Sequence, residues 1–479
     1  MFYSLINEQR NSILGQVIMS KLAPLPPAPV LMICFGHCGI GLGAESYRRL
    51  LLDVGADPLK PTLNSKDESR VLKRYGSTIL RFSPSYGDGD IPLIPRALLV
   101  DLDPRAANLI LQSYPDLFAL RDQHVIHGAG GAARNWAEGK TRFLEEMKTK
   151  VDIKKQLSAI SPEPVRGYVV PFAMGGGTGS SFSSAFIEYI KTNTKEHATI
   201  ATFGLMPEFG WDPVIFEAAA INIVMNLEYQ IKYSDCSILV SNKALRKLAH
   251  QHDKKLQKIP SIIDDLPKEH EVGWKDYKGM NLIAANTISM FISSFARETE
   301  WDMSNYRTWL ATKKPKFAIP WIMPVSPSES QWGKDMLTST KNNTMEDVLN
   351  KLGKKEDALL FDIDENDIRN NGSSRDSCCV LVKVKGEFDI KEREAIKRII
   401  KDKFNIEESR MIFVKIPIMD GEQASIAVLV NTKAIGPKIL EIAKEAEEAW
   451  DGYKDEYGRW GLSTEEFKQG LMDVVHQFS

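Results

Sequence analysis

Gly175, Gly176, Gly177 and Gly179 fall within five residues, with Thr178 among them, in the stretch PFAMGGGTGSS at 171–181. Glycine loses more backbone freedom on folding than any other residue, so such a run between a strand-like and a helix-like segment points to a need for bare backbone. Consecutive N–H groups without a Cβ, at the start of a helix whose dipole favours negative charge, form a site for phosphate oxygens. Thr178 and Ser180 add hydroxyl donors. Taken alone, the cluster is equally well read as a tight strand-to-helix turn. Other turns decide between the two readings: GHCGIGLG at Gly36–Gly43, DLDP at Asp101–Pro104 and GAGGAARNWAEG at Gly128–Gly139. Each follows an apolar run, so all would line one mouth, and a nucleotide with several phosphates explains them together.

The elements that must hold these turns are legible in the patterning. From Val30 to about Asn242 short apolar runs alternate with helix-like segments, beginning VLMICFG then ESYRRLLLDV and ending FEAAAINIVMNLEYQI then CSILVSN. Almost wholly apolar strands separated by helices imply a parallel sheet covered on both faces, a doubly wound α/β nucleotide-binding architecture. YKGMNLIAANTISMFISSFA at 277–296 is apolar on nearly every side, as expected of a long central helix between two domains. Downstream, SCCVLVKVKG, SRMIFVKIPI and SIAVLVNT read as strands, the last two run on consecutively, and a second α/β domain with a mixed sheet is expected. Asp389 with Glu392, and Ser463 with Glu466, have capping-box spacing. The expected divisions are an N-terminal helix and Pro-rich tether at 1–29, a nucleotide domain at 30–276, central helix and loop at 277–310, second domain at 311–440 and C-terminal helices at 441–479.

Composition narrows the function classes. A chain of 479 residues suits two or three domains. Lys plus Arg number 61 against 63 Asp plus Glu, a balance that argues against nucleic acid and acidic lipid as partners. Five cysteines, Cys34, Cys38, Cys236, Cys378 and Cys379, suit a reducing compartment. With no basic leader before an apolar stretch and no apolar run of membrane-spanning length, a cytoplasmic protein is expected. Cys34, His37 and Cys38 with His124 and His127 could hold a metal, but Cys34 belongs inside a strand and paired C-x₂-C spacing is missing. G-x-S-x-G and the Walker pattern are absent, and GIGLG lacks the acidic ribose residue of a dehydrogenase at the expected distance.

With these turns in hand, the chain resembles the tubulin/FtsZ superfamily of filament-forming GTPases over almost its whole length from Val30. GGGTGSS matches the family signature except at Ser181, where the family has Gly; the Gly36, Asp101 and Gly128 turns look nearer to tubulin than to bacterial FtsZ, as in a divergent prokaryotic or archaeal member. His37 stands where tubulins carry Gln, and the Gly128 turn has additional residues. The resemblance implies a GTPase domain binding GTP or GDP with Mg²⁺. Gly36, His37, Cys38 and Gly39 would approach the α- and β-phosphates. Asp103 would orient a water on Mg²⁺. Ala129, Gly130 and Asn135, with Gly175, Gly176, Gly177, Thr178, Gly179 and Ser180, would wrap the β- and γ-phosphates. Glu217 falls where the family has a ribose contact, Asn242 and Asn281 match the guanine-reading asparagines, and Tyr277, one helical turn before Asn281, would stack on the base.

The family completes each hydrolytic site with an acidic loop from the next subunit. In ETEWDMSNYRTWL the two acidic positions fall on Asp302 and Asn305, and an Asn cannot accept a proton, so slow hydrolysis is expected. Glu298, Glu300 or a partner subunit are alternative sources of the acid. The resemblance therefore implies either a self-assembling, head-to-tail GTPase filament or a non-hydrolysing subunit or cap that co-assembles with a tubulin-like paralogue. The chain stops where an acidic tail would begin, so partners that read such a tail by charge are not expected.

Overall fold

The computed structural model describes residues 29–53, 56–63, 78–82, 91–118, 125–128, 130–132, 134–147, 153–193, 198–211, 217–257, 261, 277–293, 295, 301–310, 316–323, 345–352, 359–363, 365–372, 378–386, 388–416 and 424–479. The helix and tether expected before Pro29, and His124, Ala129, Glu298 and Glu300, lie outside them.

Ten strands make one sheet: β1 Val30–Phe35, β2 Ala97–Asp101, β3 Val125–His127, β4 Gly167–Ala173, β5 Thr199–Met206, β6 Cys236–Ser241, β7 Phe317–Met323, β8 Cys378–Lys385, β9 Met411–Ile416 and β10 Ser425–Thr432. Across the sheet they run β9-β8-β10-β7-β6-β5-β4-β1-β2-β3. Strands β1, β5 and β6 are buried at every residue, which is why their sequences are apolar without alternation. From β3 to β6 all pairings are parallel, so this half has the doubly wound order 3-2-1-4-5-6. Its order reverses between β1 and β4, the place where such sheets open a crevice at their carboxyl ends.

The sheet then continues into the mixed part. β7 lies parallel to β6 and antiparallel to β10, and β8 is antiparallel to β10 but parallel to β9. Although β9 and β10 follow one another in sequence, β8 lies between them. The helix Ile390–Phe404 carries the chain from β8 to β9 as a parallel crossover, and only the open side of β8 is left for β10. That helix opens on the Asp389/Glu392 capping box, and the closing helix Thr464–Phe478 on Ser463/Glu466.

The helices that bear on the site are α1 Gly36–Asp53, α2 Pro104–Ser113, α3 Trp136–Arg142, α4 Gly177–Asn193, α5 Ala219–Tyr233, α6 Asn242–Gln251, α7 Lys278–Ser293, α8 Met303–Leu310 and, near the end, α9 Gly436–Arg459. α7 is the long apolar helix foreseen from sequence, and all but a few of its residues are buried. It is pinned to α1 by Ser289 Oγ donating to Ser46 O at 3.1 Å.

Lys383 of β8 ties α7 to α8. Its amine is buried, donates to Phe291 O at 2.9 Å and to the Tyr306 hydroxyl, and lies over the Phe291 and Tyr306 rings. Burial pushes this amine well below the usual lysine range. Between this lowered value and that of the unfolded lysine, the folded protein binds fewer protons here than the unfolded chain, so stability rises with pH until the unfolded lysine itself titrates near about 10.4. Urea unfolding is expected to show wild type gaining stability from about pH 7 to about pH 9 while Lys383→Met loses most of that slope; parallel slopes would mean that Lys383 stays charged when buried.

Candidate functional site

β1 and β4 are neighbours in register, Phe35 opposite Phe172, and each runs directly toward a helix: α1 starts at Gly36 and α4 at Gly177. Gly36 has φ +70°, and a Cβ there would sit 3.0 Å from Gly179 N. Two helix N-termini therefore meet at the switch point, both offering N–H groups and positive dipole ends. The glycines divide by purpose. A Cβ on Gly39 would lie 2.4 Å from Pro171 O, on Gly177 2.9 Å from Ala132 O, and on Gly179 2.8 Å from Ala173 O, so these residues let the turns interlock. Gly130, with φ +145°, and Gly176 face open space, and they leave the backbone bare at the mouth.

The acidic turn closes one side. Asp103 caps α2, accepting the Arg105 N–H at 3.0 Å, and its carboxylate is also gripped by the Arg105 guanidinium, which holds it below the usual range. Asp101, at the end of β2, lies within the DLDP turn, and only its position in the fold marks it as part of the site. Burial pushes its carboxyl up to about 7, against hydrogen bonds from the Asp103 and Leu102 backbone and the Thr178 side chain. His37 stands exposed at the rim of this recess, near Asp103. A neutral imidazole still donates one hydrogen bond and accepts another, as the amide of Gln does.

Two residues expected at the phosphates are otherwise engaged. Asn135 is buried as the N-cap of α3, accepting the Glu138 N–H at 3.1 Å, and its amide donates to Glu456 of α9 at 3.3 Å. The Ser180 hydroxyl is buried and turns back on the carbonyls of Gly176 and Gly177, the back-bond that a serine in the first turn of a helix commonly makes. Ser181, the departure from the family signature, donates to Gly177 O at 2.6 Å, and a Cβ on Gly139 would lie 2.0 Å from its Oγ. Gly139 thus supplies the room that Ser181 takes. Gly139→Ala is expected to cost about 2 kcal/mol alone and under about 1 kcal/mol in a Ser181→Gly background, a coupling that a double-mutant cycle by urea unfolding reads directly; equal costs would mean the two sites are independent.

Asn222 of α5 knits the turns together. Its amide N–H groups donate to Arg134 O at 2.8 Å and Gly175 O at 2.9 Å, while its carbonyl accepts the Trp136 N–H at 2.9 Å and the Tyr457 hydroxyl at 2.7 Å. Every valence of the amide is used, and Tyr457 of α9 is thereby tied to the glycine turns.

On the other side of the mouth, Asn242 is the first residue of α6, behind the N-cap Ser241. Tyr277 immediately precedes α7 and Asn281 lies one turn on. All three side chains are half-buried. α6 and α7 come close at Gly279, where a Cβ would approach Ala249 Cβ to 3.0 Å. Glu217 lies in the turn ahead of α5, two residues before the helix opens, and accepts the Tyr453 hydroxyl at 3.3 Å.

Asp302 and Asn305 sit elsewhere. Asp302 Oδ1 accepts the Ser304 N–H at 2.8 Å and the Asn305 N–H at 3.3 Å, and Asn305 Oδ1 accepts the Asp302 N–H at 2.7 Å, so the pair forms a reciprocal cap at the start of α8. Met303 packs on Gly167, where a Cβ would come within 2.5 Å of its Cγ. Gly167 is the first residue of β4, whereas the glycine turn follows its last. The loop and the switch-point crevice are at opposite ends of one strand. Among the described residues no group of three or more His, Cys, Asp or Glu is arranged to hold a metal, and no helix is long and apolar enough to cross a membrane.

The chain is similar to the Tubulin alpha-4 chain of Drosophila melanogaster, 24% identical over an alignment of 291 residues that covers 58% of this chain and 57% of that one, so the match spans little more than half of the relative's length. Residues 29–250 match the Tubulin/FtsZ family, GTPase domain. The crevice between β1 and β4, with its glycine turns and acidic turn, lies wholly within the residues that this family model matches.

Proposed function

We propose that this chain binds GTP at the switch point, assembles head to tail into filaments and hydrolyses GTP slowly at each junction between subunits. The observation that carries this reading is the separation of Asp302 and Asn305 from the crevice by the length of β4. Seven strand residues span roughly 23 Å, too far for the loop to reach phosphates bound in its own subunit. The same loop presented by a neighbour stacked along the strand direction meets the crevice directly. Each site is then completed only on assembly.

In this reading the N-termini of α1 and α4, with the open Gly130 and Gly176, receive the phosphates, and Asn242, Asn281 and Tyr277 receive the guanine. A buried carboxyl at Asp101 and an accessible one at Asp103 fit Mg²⁺, a hard cation that takes oxygen ligands from one or two carboxylates and the phosphates. Mg²⁺ bound there would neutralise phosphate charge; Asp103 would hold a water on it once Arg105, an exposed side chain, swings aside. Asp302 of the next subunit would orient the attacking water. Asn305, neutral and already committed to the α8 cap, would contribute little as a base.

That same commitment favours a second reading, in which the chain is a non-hydrolysing subunit or cap in a filament built with a paralogue. One experiment separates them: sedimentation and negative-stain microscopy with and without GTP, with phosphate release followed in the same tube. Filaments with phosphate release support the first. Bound GTP without polymer or phosphate supports the second, and no GTP binding at all removes both.

A further inference from the structure

The loop after β5 carries a feature that none of these roles uses. Glu208, Phe209, Gly210 and Trp211 form a turn closed by the Trp211 N–H donating to Glu208 O at 3.3 Å. Gly210 at its third position has φ +80°, the conformation a type II turn needs there. The turn sets Glu208 and Trp211 side by side, and one residue of α6 clamps both. Arg246 Nε donates to Glu208 Oε2 at 2.7 Å and Nη2 to Oε1 at 2.6 Å, a two-pronged grip, while its guanidinium lies 5.0 Å from the Trp211 ring centroid. Arg246 is one helical turn beyond Asn242, so the clamp is anchored to the helix that carries that asparagine. The indole in turn meets the Tyr277 ring edge to face, with centroids 5.8 Å apart and planes at 69°.

A half-buried tryptophan held by a rigid turn and a bidentate ion pair, and touching the tyrosine on which a base would stack, is a preorganised wall. We propose that Trp211 closes the purine pocket opposite Tyr277. The inference rests on the nucleotide reading above and deepens it by assigning a residue and a specificity: a two-ring base spans both aromatic side chains, whereas a pyrimidine on Tyr277 stops short of the indole. Arg246 and Glu208 keep the indole from swinging away into solvent.

The test uses the full chain. GTP affinity is measured by equilibrium dialysis, and tryptophan emission is followed through the same titration, for wild type, Trp211→Phe, Trp211→Ala and Arg246→Met. Unchanged circular dichroism is required of each variant. The expected result is a GTP-dependent emission change in wild type that Trp211→Phe abolishes, and Kd for GTP raised about tenfold in Trp211→Ala, the range measured when one stacking side chain is truncated. UTP, bound weakly by wild type, should lose under about threefold. Arg246→Met, which keeps the indole but frees the turn, should weaken GTP about threefold. Wild-type GTP binding that Trp211→Ala leaves unchanged overturns this inference and leaves the nucleotide reading intact; failure of wild type to bind GTP in dialysis overturns both.

Discussion

Replacing Asn305 by Glu is expected to raise GTP turnover in assembled protein at least about tenfold, toward the 10²–10⁴-fold that a positioned general base contributes. GTP affinity of the unassembled chain should stay the same, because the residue lies at the far end of β4 from the crevice. The substitution is structurally mild. Asn305 occupies the third position of α8 and accepts the Asp302 N–H at 2.7 Å, a position at which Glu is the usual partner in a capping box. One Glu oxygen can keep that bond while the other faces the neighbouring subunit. Asp302→Asn, which also preserves an N-cap, is expected to abolish the residual turnover. Phosphate release measured on pelleted polymer checks both. Turnover that neither change alters would remove this loop from the mechanism and direct attention to acids at 298 and 300 or in a partner.

The second large effect is expected at a residue that contacts no ligand. Asn222→Asp should destabilise the fold by about 3 kcal/mol and weaken GTP binding, since it sets a carboxylate against the Arg134 and Gly175 carbonyls in a fully buried place. Tyr457→Phe removes only the hydroxyl bonded to the same amide and should cost about 1 kcal/mol. Urea unfolding ranks the two, and dialysis with GTP shows whether the turns have slackened. Equal, small costs would mean that the Gly128 and Gly175 turns hold their shape without Asn222.

Much of the fold was legible because burial writes itself into local pattern. Strands covered on both faces read as unbroken apolar runs, α7 as a helix without a polar face, and the helix starts at Asp389 and Ser463 as capping boxes. The crevice was legible as glycine turns at strand ends. What each glycine does was not. Gly36, Gly177 and Gly179 read the same as Gly130 and Gly176, but the first three make room for neighbouring backbone and the last two open onto the mouth. Asn135 and Ser180, expected at the phosphates, are buried in caps and helix turns, since a polar side chain beside a helix start is as readily drawn to backbone as to ligand.

Local composition and periodicity by themselves determined the doubly wound sheet, the strand-end turns and the central helix, because each depends on neighbours a few residues apart. Only the tertiary structure decided the rest: the strand order that brings Gly36 against Gly179, the pairing of Gly139 with Ser181, the convergence of four hydrogen bonds on Asn222, and the seating of Trp211 between Arg246 and Tyr277. It alone also set α8 at the opposite end of β4 from the crevice. These contacts join residues far apart in the chain, and no local periodicity records which distant partner a side chain meets once the strands have taken their order.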